Sequence, residues 1–311
     1  MEKSSKTIND KTSCFCFVLL HYNSIEDTIR CVDSIKLNFK DFNYRIVIVD
    51  NASPNKTGVV LKEMYSHLKD TVVLLNKCNM GFAKGNNLGY SYCKEHFEPD
   101  FIIIANSDVE FEQKEFLDIV ENKYNESCYS VLGPDIINTT ENIHQNPLRT
   151  LGMSLKEIKK GIRIRKFLVC ANRKYGICFA LLKLYRLLKH LIKKEKSSVP
   201  VDKQGYNREI QNCVLYGACF VFSPFFLKNH EYAFFPDTFM YFEEEFLWYM
   251  LVNNGEKTLY TPSVRVLHRV NGSTNYSYKK ERERVVFKES KAIDSALKLI
   301  SFVESGCPKI W

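Results

Sequence analysis

The sequence contains few of the residues that mark linkers and repeats. Its 311 residues include only 13 glycines and 9 prolines, and no segment recurs at a fixed period. These absences exclude collagen-like, low-complexity and repeat architectures. None of the 11 cysteines forms a C-x-x-C pair, which argues against zinc knuckles and redox dithiols and predicts reduced, mostly buried thiols. At 45% hydrophobic residues, the chain can bury a sizeable core, as one large domain or two modest ones.

Long apolar runs and two nucleotide-binding motifs are also missing. No stretch approaches the ~20 apolar residues that span a bilayer, and the polar residues 1–12 lack the apolar centre of a signal peptide. We therefore expect a disordered segment at 1–12 and a cytoplasmic location. There is no G-x-G-x-x-G after the first apolar segment and no G-x-x-x-x-G-K-[ST]. These absences argue against a dinucleotide dehydrogenase and a P-loop phosphotransferase.

Positive charge is concentrated in one segment. The formal net charge is +8, but residues 149–196 hold 15 Lys and Arg against two Glu, so the rest of the chain is net acidic. Apolar residues recur there at helical spacing, at Leu181, Leu184, Leu188, Leu191 and Ile192. The pattern predicts a basic amphipathic helix. We favour an anionic membrane surface as its partner. A helix packed on the domain is the alternative, and we expect no nucleic acid partner because only charge, and no binding motif, points to one.

Apolar segments of strand length alternate with helical patterns in the first third of the chain. Strands are predicted at 14–20, 44–49, 71–75 and 101–105, and helices from 24 to 35, 59 to 68 and 83 to 93. Ser24 and Asp27 resemble a capping box at the start of the first helix. This alternation indicates an α/β fold with a mainly parallel central sheet and helices on both faces.

Polar residues follow each predicted strand. They are His21-Tyr22-Asn23, Asp50-Asn51, Asn76 to Asn79, and Asn106-Ser107-Asp108. Taken singly, Asn and Asp are ordinary turn and cap residues. Parallel strands, however, bring their carboxyl ends to one edge of a sheet, which is where such sheets bind ligands. The four strand ends are therefore predicted to converge on one crevice, and we expect the chemistry there.

Seven stretches, taken together and in order, resemble glycosyltransferase family 2. They are FVLLHYN at 17–23, IVDNAS at 48–53, NMGFAKGNN at 79–87, ANSD at 105–108, GAC at 217–219, FEEE at 242–245 and HRVNGS at 268–273. The branch that they resemble includes bacterial rhamnosyltransferases and related enzymes of polysaccharide assembly.

The resemblance implies a fold and an organisation along the chain. The fold is of the GT-A type, with a Rossmann-like nucleotide-binding half and an acceptor half. The implied segments are a nucleotide-sugar-binding half at 13–140, a basic insertion at 141–200, an acceptor and catalytic half at 201–275 and a C-terminal helix and tail at 276–311.

The resemblance also implies an activity. Its members move a sugar, with inversion, from a nucleotide-sugar donor to a hydroxyl of a glycan acceptor. For this branch the acceptor would be lipid-linked, in the synthesis of a surface polysaccharide such as capsule or O-antigen, at the inner face of the membrane.

A divalent cation at the donor diphosphate is implied by the same resemblance. The departing nucleoside diphosphate develops negative charge, and hard oxygen ligands suit Mg²⁺ or Mn²⁺. Asp108 matches the last aspartate of the family's D-x-D signature and is the implied metal ligand, with Asn106 beside it on the donor. His268 matches a late histidine that completes the metal or diphosphate site in some relatives. A turn-forming aspartate and a structural histidine are the alternatives.

Two further groups of residues are implied to hold the donor. Asp50 matches the carboxylate that binds the nucleotide base, with a strand cap as the competing role, and Tyr22 and Asn23 match the loop under the base. The segment that opens the third helix is placed along the donor, with Asn79, Gly81, Lys84 and Asn87 as its contacts. Helix N-terminal N–H groups favour phosphate oxygens. Lys84 fits a solvated surface lysine equally well.

The acidic stretch at 243–245 is implied to supply the catalytic base. Inverting transfer needs a general base and no enzyme nucleophile. Glu243 and Glu244 match the family's E-D pair, which makes Glu244 the implied base. A slip of register would move this role to Glu243 or Glu245. An acidic first helical turn explains Glu245 without any catalytic role.

Two hypotheses from other classes stay open beside the transferase. A sugar nucleotidyltransferase shares the sheet but usually opens with a glycine-rich loop, which residues 21–24 do not provide. A non-catalytic membrane-docking subunit would have lost Asp108 or the acidic stretch, and both are present. Gly217 resembles a small residue that leaves room for the acceptor sugar, although a tightly packed strand explains it equally well.

Overall fold

The structure is a computed structural model that describes residues 12–174, 205–269 and 281–308. Ten strands lie in these residues: β1 Cys14–His21, β2 Asn43–Asp50, β3 Thr71–Leu75, β4 Phe101–Asn106, β5 Val109–Glu110, β6 Val131–Asn138, β7 Ile143–His144, β8 Ile210–Gln211, β9 Cys219–Phe222 and β10 Thr258–His268. Eight α-helices lie there too: α1 Ile25–Asn38, α2 Thr57–Tyr65, α3 Gly81–Phe97, α4 Phe116–Ser127, α5 Leu155–Lys174, α6 Pro224–Asn229, α7 Glu243–Asn253 and α8 Glu281–Glu304.

One mixed sheet joins these strands in the order β3-β2-β1-β4-β9-β6-β10-β5, with β7 on β6 and β8 on β10. The pairs β3-β2, β2-β1, β1-β4 and β6-β10 are parallel, whereas the short strands β5, β7, β8 and β9 pair antiparallel with their neighbours. The long strands therefore run in one direction. The predicted α/β fold with a mainly parallel central sheet is confirmed.

Helices cover both faces of the sheet because its central strands are apolar on both sides. In β1, Phe15, Phe17 and Leu19 belong to one core cluster, while Cys16 and Val18 belong to the other. All five side chains are fully buried. A strand that is buried on both faces has no polar alternation, which explains the continuous apolar run in this part of the sequence.

The register of the parallel strands aligns their carboxyl ends. His21 pairs with Asp50 between β1 and β2, and Leu20 pairs with Asn106 between β1 and β4. The polar residues that follow these strands therefore open on the same edge of the sheet. This alignment confirms that the strand ends converge on one edge of the sheet, and the crevice expected there stays a prediction.

The start of α1 differs from the predicted capping box. The helix begins at Ile25 with Ser24 as its N-cap, but the Ser24 hydroxyl makes no bond to a backbone N–H of the first turn. It donates instead to the carboxylate of Asp27, which also pairs with Arg30. The capping-box interpretation is wrong because these side chains satisfy each other within a buried polar group.

The basic segment is described only in its first part. Helix α5 packs against α8, with ion pairs from Arg165 to Glu289 and from Lys159 to Glu304. The predicted amphipathic helix around Leu181 to Ile192 lies outside the described residues. None of the helices in the described ranges is long and apolar enough to cross a bilayer.

Candidate active site

A polar pair forms where the ends of β4 and β10 meet. Asp108 follows β4 by two residues, and β5 then pairs antiparallel with the end of β10, so that Val109 faces His268. The backbone N–H of Arg269 donates to the carbonyl of Asp108 at 3.0 Å. This pairing brings Asp108 and His268 into contact although 160 residues separate them in sequence, with His268 Nε2 3.2 Å from Asp108 Oδ1.

The two ring nitrogens of His268 have different partners. Its Nδ1 lies 2.7 Å from Oε1 of Gln145, and an amide oxygen only accepts, so Nδ1 carries a proton. Its Nε2 faces the carboxylate of Asp108. A nitrogen and a carboxylate oxygen that face each other fit a divalent cation held between them. No group of three His, Cys, Asp or Glu suited to a metal occurs in the described ranges, so substrate oxygens would complete the coordination.

A strained turn positions the three glutamates that begin α7. Tyr241 and Phe242 both adopt left-handed backbone conformations, with φ of 77° and 71°. Such conformations cost non-glycine residues about 1–3 kcal/mol each and concentrate at functional sites. The helix then begins at Glu243, so its first turn carries Glu243, Glu244 and Glu245.

The three glutamates have different surroundings. Glu245 is 1% exposed, forms an ion pair with Arg149 and accepts the backbone N–H of Met153 at 2.9 Å. Glu243 is also buried, at 4% exposure. Glu244 alone of the three is partly exposed, and it lines a cavity of about 310 Å³ between α5, α7 and α8. Its exposure makes Glu244 the member of the acidic turn that can reach an acceptor.

Gly217 lies directly against the carboxylate of Glu244. A β-carbon built on Gly217 would overlap Glu244 Oε1 and lie 3.2 Å from Cδ. The absence of a side chain at residue 217 therefore makes room for the glutamate itself. Burial raises the pKa of Glu244, while its own backbone N–H, the charge of Arg149 and the N–H of Gly217 act in the opposite direction. A carboxylate with a raised pKa is the stronger base.

Tyr216 links the Asp108–His268 pair with Glu244. Its pKa is raised by burial and then by the negative charges of Glu244 and Asp108, so both carboxylates lie within electrostatic range of one phenol. Its hydroxyl accepts from Gln145 Nε2 at 3.4 Å, and its ring centroid is 6.2 Å from that of His268. The ring of Tyr216 therefore lies near His268, and the neighbouring Gly217 lies against Glu244.

Tyr216 and Arg149 are two site residues that sequence reasoning missed. Tyr216 directly precedes the Gly217-Ala-Cys219 stretch, so its position next to that stretch was an available signal. Arg149 pairs through its backbone with Val214 and through its side chain with Glu245. In the sequence, Arg149 is only the first residue of the basic segment, and nothing local marks it as a partner of the acidic turn.

The residues predicted to hold the nucleotide base lie around Ser53. Asp50 is 6% exposed, and its Oδ1 accepts the Ser53 hydroxyl at 2.5 Å and the Ser53 N–H at 3.2 Å. The backbone N–H of Asn23, a residue with φ of 67°, donates to the same hydroxyl at 2.9 Å. Tyr22 and Asn106 are partly exposed at the strand ends. Ser53 thus connects the β1 and β2 loops, and the base-binding roles stay predictions.

The segment before α3 is held by Asn51. The side chain of Asn51 accepts from Asn76 and from the backbone of Met80, and it donates to Asn79 and to the carbonyl of Gly81. Gly81 has φ of 83° and lies against the carbonyl of Phe239, so no side chain fits there. Lys84 is exposed on the first turn of α3. Asn51 therefore fixes the N-terminus of α3 at the crevice.

Asn87 connects α3 to the loop that precedes α7. Its amide N–H donates to the carbonyl of Phe234 at 2.8 Å, and its amide oxygen accepts the N–H of Phe234 at 2.9 Å. Both ends of the side chain therefore bond the protein backbone. The donor contact predicted for Asn87 stays a prediction beside this observed role.

The sequence profile described as Glycosyl transferase family 2 matches residues 16–215, more than half of the chain. The chain belongs to glycosyltransferase family 2. The matched range includes the strand ends, Asp108 and Arg149, whereas the acidic turn and His268 lie beyond it. No curated protein matches the chain.

Solved structures give this family 2 chain the GT-A fold. GalNAc-T7 with UDP, GalNAc and Mn²⁺ is 15% identical, covers 97% of this chain and 55% of its own length, and has a TM-score of 0.55. Residues 1–349 of TarS from S. aureus are 14% identical. The match covers 94% of this chain and 73% of the TarS segment, with a TM-score of 0.49. The same TarS segment in complex with UDP-GlcNAc is 23% identical. That match covers 40% of this chain and 35% of the TarS segment, with a TM-score of 0.33. This chain thus spans about a third of the TarS segment with UDP-GlcNAc and about half of GalNAc-T7. At these identities the likeness concerns the fold alone.

The stability of this family 2 chain is expected to fall as pH rises, because of Glu243. Burial, followed by the charge of Glu244, raises the pKa of Glu243 to about 8. The folded chain therefore keeps this proton at neutral pH, whereas an unfolded glutamate loses it near pH 4.3. The contribution of protonated Glu243 to the free energy of unfolding is complete below the pKa of the unfolded glutamate. This contribution is lost as pH rises toward 8, and it falls by about 3 kcal/mol between pH 5 and pH 8.

The Glu243→Gln variant isolates this contribution because a glutamine has no proton to lose. Urea unfolding at several pH values would measure the free energy of unfolding of both proteins. We expect the difference between them to change steadily from pH 5 to pH 8. Two parallel curves would contradict the raised pKa.

Proposed function

We propose that the chain transfers a sugar, with inversion, from a nucleotide-sugar donor to a hydroxyl group of a glycan acceptor. The observation that carries this proposal is the position of the Tyr216-Gly217 segment, which contacts both groups: the Tyr216 ring lies 6.2 Å from that of His268, the partner of Asp108, and Gly217 lies against the partly exposed Glu244. An inverting transfer needs a base on the acceptor side and charge stabilisation on the leaving-group side. The family assignment supports the same class of reaction.

Glu244 is the proposed general base. Its carboxylate accepts the proton of the acceptor hydroxyl while the oxygen attacks the anomeric carbon of the donor sugar. The bond from that carbon to the diphosphate breaks in the same step, so no covalent bond to the enzyme forms. We assign Tyr216 to orienting the sugar, because its ring lies 6.2 Å from that of His268 and it directly precedes Gly217, which lies against Glu244. Glu243 and Glu245 are buried, which supports Glu244 over its neighbours.

Asp108 and His268 are the proposed ligands of Mg²⁺ or Mn²⁺. A bound divalent cation would stabilise the negative charge of the departing diphosphate. The Asp108 side chain is 16% exposed and that of His268 is 5% exposed, so both groups are largely screened from water. Asn106 ends β4 next to this pair, and we assign it to the donor.

The donor is proposed to lie across the carboxyl ends of β1, β2 and β4. Asp50, Tyr22 and Asn23 would contact the nucleotide base. The N-terminus of α3 would meet the diphosphate, through the segment that carries Asn79, Gly81, Lys84 and Asn87. Helix α3 begins at Gly81, so the positive end of its dipole faces the strand ends. The N–H groups of Gly81 and Phe82 already donate to Asn79 and to the carbonyl of Phe239, so the dipole carries this assignment.

The acceptor is proposed to enter the cavity beside Glu244. Its lining includes Arg149, Met153, Arg165 and Tyr241, which combine charged, polar and apolar groups. We propose a lipid-linked glycan as the acceptor, in the synthesis of a surface polysaccharide at the inner face of the membrane. The presence of both Asp108 and Glu244 favours this catalytic role over a non-catalytic docking subunit.

Metal-dependent nucleotide binding is the first expected result. A ligand at 100 times its dissociation constant stabilises a protein by ~2.7 kcal/mol. We expect one class among UDP, dTDP, GDP and CMP sugars to raise the melting temperature with Mn²⁺ or Mg²⁺, and the increase to shrink with EDTA. The Asp108→Asn variant should lose the metal-dependent part of this increase.

Asp33→Asn is the matched control for this experiment because Asp33 is an exposed aspartate on α1. It should respond to metal and nucleotide like the unmodified protein. A metal-dependent increase that survives in Asp108→Asn would remove Asp108 from the metal site. No increase with any nucleotide would contradict donor binding.

A further inference from the structure

The solvent side of α5 combines positive charge with exposed apolar side chains. We define the outer face of α5 as Lys156, Lys160, Arg163, Ile164 and Phe167. Phe167 follows the buried Ile158 by nine residues, about two and a half helical turns, and so points away from the core. The other residues of the outer face precede Phe167 on successive turns of the same side, at i−3, i−4, i−7 and i−11. Cations and apolar groups therefore share one surface.

The apolar members of this face are well exposed. Phe167 is 64% exposed and Ile164 is 53% exposed. Single exposed apolar side chains are ordinary on protein surfaces. Here two of them lie within one helical turn, on the same face as three cations. This combination is typical of helices that lie in the headgroup region of a membrane.

The cations of this face have no protein partners in the described part of the chain. Lys156, Lys160 and Arg163 form no ion pair there, whereas Lys159 and Arg165 on the same helix are paired with Glu304 and Glu289 of α8. Helix α5 thus uses the cations near α8 to hold itself on the domain. The remaining cations are available to an anionic surface outside the protein.

The inner side of the same helix borders the proposed acceptor cavity. Ile158, Gly161, Ile162 and Arg165 of α5 line this cavity together with Glu244. A helix with its side chains is about 10 Å across. A surface that contacts the outer face of α5 therefore lies about one helix diameter from the cavity that holds the proposed base.

We propose that the outer face of α5 docks on the anionic surface of a lipid bilayer. Phe167 and Ile164 insert among the headgroups, and the three cations contact lipid phosphates. The three cations favour an anionic partner. The exposed Phe167 favours a bilayer over a purely polar polyanion, because only a bilayer offers an apolar interior. The idea that this docking brings a lipid-linked acceptor to the cavity rests on the proposed function. The docking itself needs neither a donor nor catalysis.

Sedimentation of the full-length protein with vesicles tests this surface. The two vesicle types are pure phosphatidylcholine and phosphatidylcholine with about 30% phosphatidylglycerol. We expect binding to the anionic vesicles only. Phe167→Asp and Lys160→Glu/Arg163→Glu should each weaken it by about tenfold or more.

Matched controls lie on the nucleotide-binding half. Leu37→Asp replaces a residue of α1 that is 74% exposed, and Lys62→Glu/Lys69→Glu makes the same charge change at two exposed lysines. Both controls should bind vesicles like the unmodified protein. Thermal unfolding would verify that all four variants are folded.

Three outcomes would overturn the proposal. They are equal binding to neutral and anionic vesicles, an equal loss of binding in the controls, and a Phe167→Asp variant that binds like the unmodified protein. The last result would identify a polyanion surface without insertion. Donor hydrolysis, measured without vesicles, should be the same in Phe167→Asp and the unmodified protein. Vesicle binding and hydrolysis can therefore fail independently, which separates this proposal from the proposed function.

Discussion

Replacement of Glu244 by glutamine is expected to reduce sugar transfer by about 100- to 10,000-fold, the usual contribution of a general base. Glutamine keeps the size of the side chain but does not accept the proton of the acceptor hydroxyl. Nucleotide binding should be unchanged, because the proposed contact of Glu244 is with the acceptor and not with the donor. Transfer to an acceptor under single-turnover conditions and a thermal shift with the donor would measure the two quantities separately.

Variants of the neighbouring glutamates test the register of the acidic turn. Glu243→Gln should keep most of the transfer activity, because its side chain is buried at 4% exposure. Glu245→Gln should lower stability instead, because it removes the charge that pairs with Arg149. If Glu244→Gln retained turnover while Glu243→Gln lost it, the base would be Glu243.

The sheet could be predicted from sequence because its signal is local. Residues 14–20 form a continuous apolar run, and the structure places β1 at Cys14–His21. The same agreement holds for the fourth predicted strand, observed at Phe101–Asn106. Parallel strands with buried faces and short polar ends leave few alternatives for the edge at which ligands bind. Helix boundaries were less accurate, since α3 begins at Gly81 rather than at residue 83.

The individual roles within the acidic turn could not be predicted from sequence alone. Glu243, Glu244 and Glu245 are adjacent and chemically identical, and their exposures depend on what packs against α7. Arg149 neutralises Glu245, and Gly217 leaves space for Glu244. Both partners are distant in sequence, so no local pattern assigns them. The family resemblance indicated Glu244, and the burial of its neighbours supplies a physical reason.

Local motifs do not by themselves identify the partners of their side chains. Ser24 and Asp27 have the spacing of a capping box, yet their side chains bond each other within a group that includes Arg30. Asn87 lies in a segment that resembles a donor-binding motif, and its amide bonds the backbone of Phe234, 147 residues away. In the first case the residues of the motif bond each other and a neighbour on the same helix turn. In the second the observed bonds are to a distant backbone segment, and the donor contact stays a prediction.

Gly217→Ala is expected to reduce transfer by about 100-fold or more, because displacement of a catalytic group by ~1 Å has an effect of this size. A methyl group at residue 217 would overlap Oε1 of Glu244 and move the carboxylate. The backbone at Gly217 is outside the left-handed region, so alanine adds no backbone strain. The added methyl group should lower the free energy of unfolding by about 1–3 kcal/mol. Transfer kinetics and urea unfolding would measure the two effects.

Gly161→Ala is the control that separates displacement of the base from a general loss of space. Gly161 lines the same cavity on α5, but a β-carbon there would meet no atom within 4 Å. Alanine inside a helix is also favoured over glycine by up to about 1 kcal/mol. This variant should therefore keep its transfer activity and gain stability. If both variants lost activity equally, the volume of the cavity would matter rather than the position of Glu244. If Gly217→Ala kept full activity, Glu244 would not be the base in the position that the structure gives it.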